Sequence, residues 1–203
     1  MPNWDKRYRE SPERLFGAAP IQYLRQVMAR SDVAPERALM LGDDDGRNGT
    51  WLAGQGVQVT AVDISAVATE QAMAHDRAAG VRVERIVADL ADWSAPAGAV
   101  FDAVFMLYLQ CEARVRLDSL ARGAAALAPG GLFVAEGFSR TGASADGLGP
   151  KDPDHLYDLA SLSDALAGFR LLEAFDGVTW LDEGARHQGE ARVVRLLARK
   201  PAP

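Results

Sequence analysis

The chain has 203 residues, a length that suits one domain with a buried core, so we predict a single domain over residues 1–203. Apolar residues make up 48% and charged residues 25%, as in globular proteins rather than disordered or membrane chains. The net charge of -6 argues against a nucleic-acid partner, because neutralising phosphates needs a basic surface.

Short apolar runs alternate with segments of helical periodicity along most of the chain. This pattern predicts a doubly wound α/β fold, with a mostly parallel sheet and helices on both faces. The predicted strands cover residues 38–41, 57–62, 81–87, 101–107, 131–138, 170–174 and 191–198. The predicted helices cover residues 47–54, 65–79, 112–127 and 161–166. Because only a loop separates the last two strands, we expect them to form an antiparallel hairpin at one sheet edge.

The first strand leads into a glycine turn that contains three aspartates, in the order Gly42, Asp43, Asp44, Asp45, Gly46. Glycine lets such a turn close tightly and lets a ligand approach the backbone. The three carboxylates would repel a pyrophosphate at the helix N-terminus, which disfavours an NAD-dependent oxidoreductase. A nucleoside that carries positive charge, such as S-adenosylmethionine, suits the turn better.

Polar residues also follow two later strands. Asp63 ends the second strand before a serine-capped helix, and we expect its carboxylate to accept hydrogen bonds from ribose hydroxyls. A plain helix-entry aspartate is the alternative. Met106, Tyr108 and Gln110 lie at the end of the fourth strand, where we expect the transferred methyl group, and Tyr108 is a candidate catalytic residue. The adjacent Cys111 is expected to be buried and structural rather than a nucleophile.

The order of several motifs resembles that of class I S-adenosylmethionine-dependent methyltransferases, and more narrowly that of the small tellurite-resistance methyltransferase family. These motifs are Trp4 to Tyr8, Gly46-Arg47-Asn48, Ala61 to Ser65, Ala88-Asp89-Leu90, Leu127 to Gly131, Glu183-Gly184 and His187-Gln188-Gly189. The resemblance implies a seven-stranded, Rossmann-like sheet whose last strand is antiparallel. It also implies a cofactor site that includes Asn48 and Ile64, with Asp89 facing the adenine amino group and Leu90 packing on the ring.

Two positions depart from the pattern of that family. Met40 stands where the family usually has an acid, and Asp44 stands where it has glycine. Aspartate tolerates left-handed backbone better than most residues, so the turn can still form. Either Asp43 or Asp45 offsets the missing acid, or the chain is a binding-defective relative that acts through protein contacts. Both interpretations stay open.

Polar and aromatic residues near the two ends of the chain are further candidates. The N-terminal group consists of Trp4, Arg7, Tyr8 and Phe16. It either folds over the cofactor or belongs to an amphipathic helix that docks on the sheet. Near the other end, Glu183, Arg186 and His187 lie between two strands. His187 is the second candidate catalytic residue, and a solvated loop histidine is the alternative.

The predicted domain has three parts: an N-terminal helical cap over residues 1–30, a cofactor-binding core over 38–138, and a substrate-side loop and hairpin over 139–203. The glycine-rich stretch 141–150 is expected to be a mobile loop that covers the ligand. Methyl transfer from a sulfonium needs alignment and exclusion of water. Because no convincing base follows the fourth strand, we expect a thiol or metalloid oxyanion as the acceptor.

Location and partners follow from what the sequence lacks. The N-terminal residues have no apolar signal segment, and the single cysteine cannot form an internal disulfide. We therefore predict a cytoplasmic protein without membrane contact, acting on a small-molecule substrate as a monomer or a homodimer. Three scattered histidines and one cysteine show no metal-ligand spacing, so no metal is predicted.

Overall fold

The computed structural model describes residues 3–11, 14–142, 147–184 and 186–202. These residues form a seven-stranded sheet in the order β3-β2-β1-β4-β5-β7-β6. The strands are β1 Arg37–Leu41, β2 Gln58–Asp63, β3 Val83–Val87, β4 Phe101–Leu107, β5 Leu127–Phe138, β6 Arg170–Asp182 and β7 Gln188–Arg199. The helices are α1 Trp4–Glu10, α2 Gln22–Met28, α3 Arg47–Gly54, α4 Ala66–Ala79, α5 Ala113–Ala125 and α6 Leu159–Ala165, with a 3₁₀ turn at Pro153–His155.

The pairing of the strands confirms the predicted α/β fold. Strands β1 to β5 pair in parallel, whereas β7 pairs antiparallel with both β5 and β6. Side chains alternate along the buried strand β1 and enter two apolar clusters. Met40 belongs to the same cluster as Leu24 of α2 and Leu52 of α3, whereas Leu39 belongs to the cluster that contains Leu120 of α5. Helices therefore cover both faces of the sheet, which is typical of parallel strands.

The main difference from the prediction concerns the C-terminal hairpin. Strands β6 and β7 extend over Arg170–Asp182 and Gln188–Arg199, well beyond the predicted residues 170–174 and 191–198. Strand β6 lies at the edge of the sheet and most of its residues are partly or fully exposed. Strands are predicted from the alternation of apolar and polar residues, and an exposed edge strand does not need this alternation. The full length of β6 could therefore not be predicted from the sequence. Similarly, α5 ends at Ala125 and β5 starts at Leu127 rather than Gly131.

The N-terminal segment packs against the outside of α4. Asn3 caps α1 by accepting a hydrogen bond from the backbone N–H of Lys6 at 3.0 Å. The buried ring of Tyr8 then packs with Phe16 and with Ala68 of α4. This arrangement brings the start of the chain next to the carboxyl ends of the first strands.

Two absences apply to the described part of the chain only. None of its helices combines the length and the apolar composition that crossing a membrane requires. The same residues contain no cluster of three or more His, Cys, Asp or Glu side chains that suits a metal ion. Residues 143–146 of the predicted ligand-covering loop lie outside the described residues.

Candidate functional site

A cavity lies at the carboxyl ends of strands β1 to β4. Open α/β sheets bind their ligands at this edge. Its lining consists of Trp4, Phe16, Gly42, Asp44, Asp63, Ile64, Asp89, Leu90, Tyr108, Leu109, Gln110, Cys111, Val115 and His187. Residues from the ends of four strands, from the N-terminal segment and from the β6–β7 turn therefore meet around one space.

The cavity brings together most of the residues that the sequence put forward. The predicted site residues that line it are Gly42, Asp44, Asp63, Ile64, Asp89, Leu90, Tyr108 and His187. Four others, Asp43, Gly46, Asn48 and Met106, are not among the lining residues. Leu109 and Val115 were not predicted, and apolar residues beyond a strand end carry no signal that separates ligand contact from packing.

Two of the three consecutive aspartates form ion pairs with arginines. Asp43 Oδ2 forms an ion pair with Arg85 at 2.9 Å, and its Oδ1 accepts the backbone N–H of Gly49 at 3.0 Å. Asp45 forms an ion pair with Arg14 at 2.8 Å. The sequence predicted that all three carboxylates repel an anionic ligand. In the structure only Asp44 faces the cavity, so the prediction applies to this residue alone.

The rest of the turn closes the fold instead of lining the cavity. Gly46 has a φ of 85°, and the side chains of Arg85 and Ala72 occupy the space that a Cβ at this position would take. Asn48 Oδ1 accepts the backbone N–H of Ile21 at 2.9 Å, so it holds the segment that precedes α2. Gly46 and Asn48 therefore connect the turn to segments that are distant in the sequence.

Arg47, from the same motif, joins the N-terminal segment to the β6–β7 turn. Its Nη1 donates to the backbone carbonyls of Phe16 at 2.9 Å and Glu183 at 3.0 Å. Gly17 and Gly184 lie against each other at this junction, and a Cβ on either would collide with the opposite backbone. The N-terminal segment therefore lies along one side of the cavity, where Trp4 and Phe16 belong to the lining.

Asp63 is held in a fixed orientation at the end of β2. Its Oδ2 accepts the backbone N–H of Asp44 at 2.9 Å, and its Oδ1 accepts that of Ser65 at 2.8 Å. Each carboxylate oxygen has a second acceptor site, so the side chain can still receive hydroxyl groups from a ligand. Burial raises the pKa of Asp63 to about 6.

The neighbouring part of the cavity combines apolar side chains with a second acid. Ile64 is 41% exposed although it is apolar, and it lies beside Asp63 in the cavity lining. Asp89 Oδ1 accepts the backbone N–H of Ala91 at 2.8 Å, and the Leu90 carbonyl accepts a hydrogen bond from Ser119 at 3.2 Å. This set of side chains fits an adenosine group. Asp63 suits the ribose diol, Asp89 suits the amino group, and the apolar Ile64 and Leu90 suit the ring.

Two residues of the cavity lining have a strained backbone conformation. Asp44 and Tyr108 have φ values of 51° and 53°, and no other non-glycine residue among those described has a positive φ. Such conformations cost free energy and concentrate at functional sites.

Tyr108 lies against the ring of His187, with 4.4 Å between the ring centroids. Cys111 lines the same space, and burial raises the pKa of its thiol to about 12, so it is a neutral thiol at physiological pH.

His187 is oriented by its own turn. Its Nδ1 lies 3.2 Å from Glu183 Oε2, while Glu183 Oε1 accepts the backbone N–H of Gln22 at 2.8 Å. Although burial opposes it, these hydrogen bonds hold the pKa of Glu183 below its usual value, so the carboxylate is ionised. Burial lowers the pKa of His187, so the ring is neutral, and the tautomer with its proton on Nδ1 satisfies the ionised Glu183. Arg47 Nη2 lies 3.5 Å from the same nitrogen. Its Nε2 is buried without a hydrogen-bond partner among the described residues, which leaves it free to accept a proton.

The comparisons with known proteins agree with this geometry. Residues 38–131 match the family model described as a methyltransferase domain. This chain has the domain and the fold of a class I S-adenosylmethionine-dependent methyltransferase. A ubiquinone biosynthesis O-methyltransferase of Xanthomonas axonopodis pv. citri is 28% identical over 141 residues, which cover 70% of this chain and 58% of that protein. The match thus spans less than two thirds of the length of that relative.

Two solved structures show the same methyltransferase fold over most of the chain. One comes from work on the conversion of a disulfide bond into a thioacetal group during echinomycin biosynthesis. It has a TM-score of 0.73 and 19% identity, and the match covers 98% of this chain and 90% of that one. The second, TehB from Haemophilus influenzae, has a TM-score of 0.70 and 15% identity, with 88% and 61% covered. The likeness to TehB agrees with the family that the sequence motifs resemble.

Met40, which departs from the family pattern, belongs to the apolar core. This side chain is 1% exposed and packs in the apolar cluster beneath α2 and α3. An aspartate there would be desolvated in an apolar environment, so Met40 stabilises the core and contributes no charge to the cavity. Because arginines neutralise Asp43 and Asp45, neither takes the place of the missing acid; Asp44 is the carboxylate of the turn that remains.

Proposed function

We propose that this protein transfers the methyl group of S-adenosylmethionine to a small-molecule acceptor. The observation that carries the proposal is the cavity at the carboxyl ends of β2 and β3, within the methyltransferase domain. There, Asp63, Ile64, Asp89 and Leu90 form a set that suits the adenosine part of this cofactor. The chain's resemblance to methyltransferases supports the same choice.

When bound, S-adenosylmethionine supplies an electrophilic methyl group on a positively charged sulfur. Asp63 accepts the ribose hydroxyls, and Asp89 accepts the adenine amino group. Trp4 and Phe16 cover the cavity from the N-terminal segment and exclude water from the reacting atoms. The protein thus contributes mainly alignment, which is what an in-line displacement requires.

A second cavity, adjacent to the first, supports an anionic acceptor. It shares Phe16, Gln110 and His187 with the first cavity. Its lining also includes Arg7, Lys151 and Arg186. None of these three cations forms an ion pair with a carboxylate among the described residues. In a chain of net charge -6, such a group attracts an anion to the place where the two cavities meet.

We propose a thiol or a metalloid oxyanion as the acceptor, because these nucleophiles react without a protein base. A thiolate and an oxyanion are both negatively charged, which matches the three cations of the second cavity. One observation favours a second candidate, a hydroxyl acceptor: the neutral His187 has a free Nε2 and a carboxylate on Nδ1, so it is suited to remove a hydroxyl proton. Replacement of His187 by glutamine separates the two, since only a hydroxyl acceptor depends on this proton transfer.

The experiment has two stages. First, calorimetric titration with S-adenosylmethionine, S-adenosylhomocysteine and NAD tests the cofactor; we expect binding of both adenosyl compounds and none of NAD. Second, the labelled donor is incubated with carboxylated thiols, metalloid oxyanions and phenols, using wild-type protein and His187→Gln. Binding of NAD alone would contradict the proposal, and absence of all binding would support the alternative of a binding-defective relative that acts through protein contacts.

A further inference from the structure

Asp44 places a carboxylate inside the cavity, in the turn that follows β1. The residue has a positive φ of 51°, and aspartate is among the few residues that tolerate this conformation. The flanking Asp43 and Asp45 point to Arg85 and Arg14, whereas Asp44 forms no ion pair with any described lysine or arginine. A carboxylate thus enters the ligand space without a direct ion pair, although the more distant Arg7 and Arg47 favour its charged form.

A second carboxylate and a tyrosine hydroxyl surround Asp44. The backbone N–H of Asp44 donates to Asp63 Oδ2, so the two acids are adjacent at the cavity wall. Burial, together with the neighbouring charge of Asp63, raises the pKa of Asp44 to about 8. The hydroxyl of Tyr8 is buried beside Asp44, and its interaction with the carboxylate offsets part of this rise in the pKa of Asp44. The charged form of this pair is therefore costly until a positive ligand arrives.

The aromatic residues of the cavity are a separate observation that points to a cation. Phe16 and Tyr108 line the same space as Asp44, as does Trp4, whose ring has the Arg7 guanidinium 4.4 Å from its centroid. Aromatic faces attract cations through their quadrupole, and proteins commonly bind quaternary ammonium groups between such rings. Acidic side chains next to aromatic rings form an environment that favours a positively charged group over a neutral one of the same shape.

We propose that Asp44 binds the positively charged sulfonium end of the methyl donor, and that this contact makes the site prefer the donor to its demethylated product. The inference rests on the proposed function. In the transfer, the S–CH3 bond breaks as the bond between the acceptor and the methyl carbon forms. The electron pair of the S–CH3 bond stays on sulfur, which becomes a neutral thioether. The product therefore loses the attraction to Asp44, and the cost of charging the Asp44–Asp63 pair returns.

The test compares the dissociation constants of S-adenosylmethionine and S-adenosylhomocysteine by calorimetry. The two ligands share every group except the methyl and its charge, so their ratio isolates the sulfonium. For the wild type we expect the donor to bind about tenfold or more tightly than the product. Asp44→Asn removes the charge and keeps both the shape and the backbone conformation. It should lower this ratio to within about threefold, chiefly by weakening donor binding.

Asp45→Asn is the matched control. The same substitution is made at the next residue, whose carboxylate pairs with Arg14 outside the cavity, so the ratio should stay at the wild-type value. Circular dichroism and thermal unfolding check that both variants are folded. Asp44→Gly removes the whole side chain and should abolish the preference in the same way.

Each other result has a distinct meaning. If the wild type binds both ligands equally, or if Asp44→Asn keeps the donor preference, Asp44 does not bind the sulfonium, although the proposed function stands. If the wild type binds neither ligand, the proposed function fails. Should Asp44→Gly then gain binding of both compounds, Asp44 blocks the site, which also overturns the inference.

Discussion

The backbone N–H of Asp44 donates a 2.9 Å hydrogen bond to Oδ2 of Asp63, which ties the turn after β1 to the acid at the end of β2. This contact fixes two carboxylates side by side at the wall of one cavity. A ligand that fills the cavity must therefore satisfy both, which suits a molecule with hydroxyl donors and positive charge and opposes one with phosphates.

The first prediction concerns the adenosine contact. Asp63→Asn keeps the size of the side chain but replaces one accepting oxygen by a donor, so it can no longer accept two ribose hydroxyls. We expect the affinity for both S-adenosylmethionine and S-adenosylhomocysteine to fall by at least about tenfold in a calorimetric titration.

Asp102→Asn is the control for this prediction. Asp102 accepts the backbone N–H groups of Glu36 and Arg37 at the opposite end of the sheet, far from the cavity lining. Its replacement should leave both dissociation constants unchanged. An Asp63→Asn protein that is folded and binds like the wild type would contradict the assignment of Asp63 to the ribose.

The second prediction concerns pH and stability. The pKa of Asp44 is raised to about 8 by burial and by Asp63, above its value in the unfolded chain. The unfolded state therefore ionises first, and this group lowers the free energy of unfolding as pH rises from about 4 to about 8. The charged or titratable groups that face Asp44 are Arg7 and Tyr8 of α1, Arg47 of α3, and the nearby Asp45 and Asp63.

Asp44→Asn should accordingly be more stable than the wild type at about pH 9, by about 1–2 kcal/mol, and similar to it near about pH 4. Thermal and urea unfolding at both pH values measure the difference. The stabilisation comes with weaker donor binding, as is common where a strained or repulsive group serves function. A variant that is less stable than the wild type at high pH would argue against repulsion between Asp44 and Asp63.

The third prediction concerns the buried arginine behind the turn. Arg85 is buried and bridges Asp43 at 2.9 Å and Asp76 at 2.6 Å. Arg85→Met leaves two buried carboxylates without their cation, which should cost about 3–5 kcal/mol of unfolding free energy. Denaturant unfolding measures this loss. Arg114→Met is the control, since Arg114 and Asp118 form an exposed pair within one helix, and its loss should cost at most about 1 kcal/mol.

The fourth prediction concerns the cations of the second cavity. Arg186→Gln should raise the KM of an anionic acceptor by about threefold to tenfold, with kcat and donor affinity unchanged, because it weakens the attraction of the acceptor alone. The effect should shrink at high salt. Arg140→Gln removes an exposed arginine that does not line this cavity and should leave KM unchanged. An equal effect of both substitutions would show that only net charge matters.

The sequence by itself determined the class of fold and the sheet edge at which the cavity lies. The apolar runs of β1 to β5 are local features, and their alternation with helices is enough to predict a parallel sheet. Asp63 and Asp89 could be placed together because the carboxyl ends of parallel strands meet at one edge. This inference requires only the ends of the strands, and both residues do line the cavity.

Only the tertiary structure decided which aspartate of the turn faces the cavity. Asp43, Asp44 and Asp45 are chemically identical, and their orientation depends on Arg85 and Arg14, about forty and thirty residues away along the chain. The same holds for His187, whose free nitrogen is set by Glu183 and by burial under the N-terminal segment. Ion pairs and burial are long-range properties, whereas strand and helix patterns are local. The location of the cavity could therefore be predicted from the sequence, whereas the charges and ion pairs around it could not.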